Sequence, residues 1–115
     1  MNNERLEQLL NFLNEGSKDP FIRYAIATEY LKLQQYDLAL KYYEDLVLND
    51  PDYVGTYYHL GGLLEKLERK EEAIAIYEKG MATAKKVKNM HALSELQGVY
   101  QTAIGLYDDD DDDDY

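Results

Sequence analysis

The chain repeats itself. Residues 24–47 lie over residues 58–81 without a gap, and like falls on like: Tyr24 on Tyr58, Ile26 on Leu60, Ala27 on Gly61, Lys32 on Lys66, Leu33 on Leu67, Ala39 on Ala73, Tyr43 on Tyr77 and Glu44 on Glu78. A fixed self-similarity of this length marks a stacked supersecondary unit, because one helix pair cannot bury its own apolar face and must borrow a neighbour's. With no Cys, two Pro and abundant Ala, Leu, Glu and Lys, the residues favour helix over sheet. An all-α chain of helix pairs is expected, and 115 residues suit one domain.

Periodicity places the elements. Leu6, Leu9, Leu10 and Leu13 recur at helical spacing against Glu4, Glu7, Gln8, Asn11 and Asn14, which predicts an amphipathic helix over 3–15. Gly16, Ser17 and Lys18 break it. Asp19 and Pro20 then supply a capping side chain and the residue best tolerated in a first turn, so a helix is predicted over 20–33. A turn at 34–36 and a helix over 37–48 follow, closed by Asn49, Asp50, Pro51 and Asp52. The second copy predicts a helix over 53–67, a charged turn at 68–70 and a helix from Glu71, with Lys85, Lys86 and Lys88 suiting the negative end of its dipole. Leu93, Leu96, Tyr100, Ala103, Ile104 and Tyr107 predict a last helix over 90–107. The expected layout is a domain over 1–107, with a capping helix at 3–15, repeats at 20–53 and 54–87 and a capping helix at 90–107, then an acidic tail at 108–115.

The repeated residues resemble those of the tetratricopeptide repeat, a helix-turn-helix with an aromatic, Leu-Gly and Tyr on its first helix, and Ala, an aromatic and a closing Pro on its second. The second copy reads Tyr57, Leu60, Gly61, Leu64, Ala73 and Tyr77, and the first reads Arg23, Ile26, Ala27, Tyr30, Ala39 and Tyr43, closed by Pro51. Arg23 departs from the opening aromatic, Leu64 from a Tyr, and Lys85 from the closing Pro, the last implying a second helix that runs on. The resemblance implies about six helices in antiparallel helix-turn-helix repeats stacked as a right-handed α-α superhelix. It also implies a scaffold that binds a peptide or protein surface in the concave groove lined by its first helices.

On those groove positions stand Phe21, Tyr24, Thr28 and Leu31 in the first repeat and Tyr58, Gly62 and Glu65 in the second. Tyr24 and Tyr58, one period apart, are the leading contacts, since a tyrosine offers a large rigid surface and a hydroxyl at modest entropy cost. Thr28 and Gly62 are small enough to admit a peptide backbone. Some family members clamp acidic C-termini with Lys, Asn and Arg on this face; Tyr24, Thr28, Tyr58, His59 and Gly62 do not match that clamp, so an apolar or aromatic ligand is expected. Tyr30, Tyr43, Tyr57 and Tyr77 stand at packing positions. The chain is expected to be a monomer or a weak homodimer, and a self-associating, homodimeric array is the second reading, because short arrays leave stackable ends.

Catalysis finds no constellation in the sequence. His59 and His91 form no ligand pair with the spacing a metal needs, Ser17 and Ser94 carry no base-and-orienter signature, and Gly61 and Gly62 follow no strand, so they cradle no phosphate. The expectation is a protein that is not an enzyme and needs no cofactor or metal. A formal net charge of −11 argues against nucleic acid, whose phosphates need a basic face. The start of the chain lacks the basic and apolar segments of a signal peptide, no stretch is apolar over bilayer length, and Cys is absent, so the expected location is cytoplasmic. The seven acids at 108–114 account for most of the charge, which falls to −4 without them. They can be a solvating tail, a contact for a basic partner, or a weak binder of hard cations.

Overall fold

Six helices account for the regular structure of the computed structural model, which describes residues 3–105: α1 (Glu4–Asn14), α2 (Pro20–Lys32), α3 (Tyr36–Asn49), α4 (Gly55–Lys66), α5 (Lys70–Lys86) and α6 (Met90–Ala103). No strand occurs among the described residues. Three helices start on a side chain that accepts an otherwise unpaired backbone N–H. Asn3 Oδ1 accepts from the Leu6 amide at 2.9 Å, Asp19 Oδ1 from Phe21 at 3.0 Å and Asn89 Oδ1 from Ala92 at 3.0 Å. Pro20 fills the first turn of α2, where a missing N–H costs nothing. The charged turn before α5 is locked by Arg69, whose guanidinium donates twice to the Glu72 carboxylate, at 2.9 and 2.7 Å.

Four helix ends, those of α1, α2, α4 and α5, are built alike. After α1 the Gly16 amide returns to Leu13 and the Ser17 amide to Phe12, the paired bonds of a left-handed C-terminal cap. The same pair recurs after α2 (Gln34 to Leu31, Gln35 to Tyr30), after α4 (Glu68 to Glu65, Arg69 to Leu64) and after α5 (Lys88 to Lys85, Asn89 to Ala84). Gly16 takes the left-handed conformation freely at φ 94°, but Gln34, Glu68 and Lys88 adopt it at 61–62° with a Cβ in place, at a steric cost.

Contacts divide the chain into two compact units, Met1–Tyr53 and Val54–Tyr115. In the first, α1 packs on α2 and α2 on α3. Leu6 and Leu9 of α1 meet Ala25 and Ile26 of α2, with Leu10, Leu13, Ile22, Tyr30 and Tyr42 packed around them. Tyr30, expected in the core, is only half-buried and stacks on Tyr42 with ring centroids 5.8 Å apart. Glu29 on α2 is buried and fixes α1 by its head group, accepting from Arg5 Nε at 3.0 Å, Lys32 Nζ at 3.3 Å and Asn3 Nδ2 at 3.4 Å. Burial works to raise its pKa, but these three donors together hold it below the usual carboxylate value.

In the second unit, α4 packs on α5, α5 on α6, and α4 also reaches α6. Tyr57, Leu60, Leu63, Leu64, Ala73, Tyr77, Ala84, Leu96 and Ala103 are buried. Helix α5 runs to Lys86, well beyond the length of α3, as the Lys85-for-Pro departure implies. Two glycines let its aromatic rings close on backbone. A Cβ on Gly61 would penetrate the Tyr77 ring, and one on Gly80 would meet Tyr57 Cβ at 2.5 Å. One period earlier the Gly80–Tyr57 pair becomes Leu46 and Arg23, so the second-helix position that is glycine in this copy carries a large buried side chain in the first. Arg23 is held instead by carboxylates, with Nε 3.2 Å from Asp45 and an Nη 3.8 Å from Asp50. Observed helix limits differ from the expected ones by at most four residues, most at the end of α6, and the starts of α2 and α6 coincide with them. Residues 106–115, including the acidic run, lie outside the described residues.

Candidate functional site

In the first unit, α2 presents Phe21, exposed, and Tyr24, Thr28 and Leu31, each half-buried. Their spacing of three and four puts them on one helix face. Phe21 and Tyr24 lie 6.4 Å apart between ring centroids, Tyr24 meets Tyr53 at 5.5 Å, and beneath them Tyr24 stands edge-on to the buried Tyr43 at 6.4 Å. The result is an aromatic row, Phe21–Tyr24–Tyr53, on a Tyr43 base. Tyr53 did not figure among the expected contacts. The sequence pattern predicts it as the first residue of α4, whereas it lies in the segment before that helix, held by its amide bonding to Asp50 O at 3.0 Å.

Thr28 is less available than its size suggests. Its hydroxyl lies 2.9 Å from the Tyr24 carbonyl and 3.0 Å from the Tyr43 hydroxyl, so it holds the ring base. Burial pushes the Tyr43 phenol up to about 12, against the Thr28 bond, with the Tyr24 ring adding to the rise. Tyr24 and Tyr53 are raised chiefly by burial too; Thr28 opposes the rise at Tyr24, while Tyr24 and the charge of Asp19 add to it at Tyr53. All three rings are therefore neutral donors near neutral pH.

The second unit uses its counterparts differently. Tyr58 is 40% exposed and stands edge-on to His59, with centroids 5.5 Å apart. Gly62 is open, with nothing within 4 Å of where a Cβ would stand. Glu65 accepts from the Tyr77 hydroxyl, so the phenol that bonds Thr28 in one copy bonds Glu65 in the other. Burial, then that carboxylate, raises the Tyr77 pKa strongly. His59 is half-buried, its pKa lowered by burial and partly restored by Glu95, whose carboxylate lies 3.2 Å from His91 Nε2. Among the described residues no cluster of His, Cys, Asp or Glu is arranged to hold a metal ion, and no helix is long and apolar enough to cross a membrane.

Of the seven expected contacts, Phe21, Tyr24 and Leu31 thus share one face with Thr28 in the first unit, and Tyr58 and Gly62 are accessible in the second. Thr28 and Glu65 are engaged by buried tyrosines. Beside the aromatic row a depression of about 410 Å³ opens, lined by Pro20, Asn49, Asp50, Pro51, Asp52 and Tyr53.

Comparison with known proteins agrees with this architecture. A tetratricopeptide-repeat signature matches residues 24–84. A tetratricopeptide-repeat domain protein from Salinibacter ruber, solved in solution and in a crystal, is 49% identical and superposes with a TM-score of 0.74; the solution structure is matched over 77% of this chain and 90% of that one. A protein from Bordetella parapertussis, 24% identical, shares the fold with a TM-score of 0.77 over 90% of each chain. The ycf37 protein of Guillardia theta is 40% identical over 52 residues, a match that spans 45% of this chain and 29% of the length of that relative. Repeats of this kind form non-catalytic scaffolds that generally mediate protein–protein interaction. The signature covers more than half of the sequence and both helix hairpins carry its packing residues, so the chain belongs to the tetratricopeptide-repeat family.

Proposed function

We propose that this protein is a binding scaffold whose first-helix faces, that of α2 in one unit and that of α4 in the other, contact a peptide or a partner's surface. The observation that carries the reading is the part-exposed aromatic row Phe21–Tyr24–Tyr53. Aromatic rings fixed by packing beneath them bind at low entropic cost, and such residues dominate interface energetics. Tyr58, with open backbone at Gly62 along the same helix, is the corresponding contact of the second unit. Leu31 extends the first face, while Thr28 and Glu65 serve it indirectly by orienting Tyr43 and Tyr77. The domain limits at 1–107 and the tail at 108–115 belong to this proposal.

Affinity capture from an extract of the source cell tests it, comparing the full chain, residues 1–107, and a Tyr24→Ala/Tyr58→Ala variant. Loss of more than about 1 kcal/mol of affinity in the variant, with helicity retained, is the expected result. A partner held equally by the variant removes the first-helix faces as the site, and one held only by the full chain assigns binding to the acidic run.

A second reading, self-association, draws on Leu48 and Phe12, which are 79% and 51% exposed. Light scattering across a concentration series decides it: a molar mass that stays at one chain throughout excludes it.

A further inference from the structure

We propose that the acidic run at 108–114 docks on a basic tip of its own chain, formed by the end of α5, the turn that follows and the start of α6. This contact is independent of the first-helix faces proposed above.

Charge is segregated along the sequence. Between Glu78 and Glu95 no Asp or Glu occurs, although the chain holds 23 acids against 12 Lys and Arg. The same stretch carries Lys79, Lys85, Lys86 and Lys88. Lysines in the last turn of α5 complement its dipole. Lys79 precedes that turn, however, and Lys88 lies past the helix end, so the dipole does not account for the whole set.

The structure gathers these charges at one exposed place. Residues 85–91 are exposed without interruption, and Val87 and Met90 among them leave apolar side chains 40% and 56% exposed. Neither Lys85 nor Lys88 makes an ion pair with another described residue. The acids that bound the stretch are engaged: Glu78 accepts from the Tyr100 hydroxyl at 3.1 Å, and Glu95 lies 3.2 Å from His91 Nε2. The tip thus keeps its positive charge in a strongly acidic chain.

Reach then selects the occupant. The 14 residues of α6 span about 20 Å from the tip to the end where the acidic segment is attached. The stretch from Leu106 to Asp114 covers up to about 30 Å when extended, so Asp112, Asp113 and Asp114 can come level with the tip while the earlier acids pass along α6. On that path α6 exposes Ser94, Gln97, Gly98, Gln101 and Thr102, and Glu95 is its one like charge. Tyr115 falls within the same reach and gives Val87 and Met90 an apolar partner. A short covalent link presents the acids at an effective concentration on the order of millimolar, above that of a second copy in dilute solution. Each exposed pair contributes little and is screened by salt, but a run of adjacent carboxylates meets several lysines at once.

The test is amide NMR of the full chain beside a variant in which Asp108 to Asp114 are all replaced by Asn, which keeps length and shape and removes the charge. Away from amides adjoining the replaced residues, shift differences confined to 85–91 are expected at low salt and at every protein concentration. High salt should move the unmodified chain towards the variant at those amides. In a Lys85→Gln/Lys88→Gln background the same replacement should give differences at least about twofold smaller, since the two changes then remove one contact. Differences absent from 85–91, centred instead on the turn after α4, or undiminished in that background overturn the inference. So do differences that grow with protein concentration, which assign the contact to the acidic run of a second copy.

Discussion

Adjacent glycines on α4 should respond to the same substitution with opposite signs. Alanine at either position improves helix propensity by about 1 kcal/mol, because it removes the backbone freedom that glycine loses on folding. At Gly62 nothing lies within 4 Å of the new methyl, so Gly62→Ala should gain roughly 0.5–1 kcal/mol. At Gly61 the methyl would fall inside the Tyr77 ring. That ring is 1% exposed and tied by its hydroxyl to Glu65, so it cannot swing into solvent. Overpacking of this kind costs about 1–3 kcal/mol, and displacing the ring also loosens a hydrogen bond to a carboxylate, discounted because Glu65 is half-exposed. Net of the propensity gain, Gly61→Ala should destabilise by roughly 1–2 kcal/mol, leaving the two variants separated by about 2 kcal/mol. Urea unfolding with matched slopes measures the difference. The first copy carries Ala27, Thr28 and Leu31 where the second has Gly61, Gly62 and Glu65, and it turns its tyrosine towards Thr28. Gly61→Ala combined with Gly62→Thr and Glu65→Leu should therefore recover most of the loss. If Gly61→Ala stabilised as much as Gly62→Ala, the close approach of Tyr77 would play no part in the packing of this unit.

Replacing Glu29 by Gln should cost roughly 1 kcal/mol, since a neutral amide accepts more weakly from Arg5, Lys32 and Asn3. Because the native pKa of Glu29 is lowered, its contribution is complete above the unfolded value of about 4.3 and disappears as pH falls through the lower folded value, so acid unfolding of Glu29→Gln should lack that component. Gln34→Gly and Glu68→Gly should each raise the free energy of unfolding in urea by at most about 1 kcal/mol, by relieving left-handed strain, whereas Val at either position should lower it. Tyr43 and Tyr77 carry raised pKa values; the stability they contribute is complete below about pH 10 and falls as pH rises towards about 12. Tyrosinate absorbance should accordingly show a late class of phenols that ionises with unfolding.

The period was legible because packing residues repeat in kind: Ala39 and Ala73, Tyr43 and Tyr77, Ile26 and Leu60 are all buried, and substitution at any of them is penalised by close packing. The three turns after α2, α4 and α5 were harder to bound, because Gln34, Glu68 and Lys88 occupy conformations that glycine normally marks. Glu29 carried no signal at all. A buried carboxylate reads like a surface one until its three donors are known, and two of them come from α1 and its capping residue, more than twenty positions away. Tyr53 escaped for a related reason: a tyrosine after a proline turn reads equally as a helix start or as a contact, and only the proximity of Tyr24 separates the two.

The candidate contacts were half legible, and one physical cause explains which half. Each hairpin buries a tyrosine from its second helix, and a buried phenol needs a hydrogen-bond partner. The partner comes from the first helix, at positions on the face proposed for binding. In the first copy Thr28 supplies it, which leaves Leu31 and the rings of Phe21, Tyr24 and Tyr53 to face outward. In the second copy Gly62 has no side chain to offer, so Glu65 supplies it, and the outward face is reduced to Tyr58 and bare backbone. Two repeats with the same core thus present different surfaces, one aromatic and bordered by carboxylates, the other open and sparing. It follows that Tyr43→Phe, which removes the need for a partner, should free the Thr28 hydroxyl and alter ligand affinity through the first unit, whereas Tyr77→Phe should release the Glu65 carboxylate from its donor and leave its existing charge less shielded on the face of the second. Measured against one captured partner at low and high salt, Tyr77→Phe should change affinity in a salt-dependent way and Tyr43→Phe should not; equal salt dependence in both would mean that these phenols do not set what each face offers.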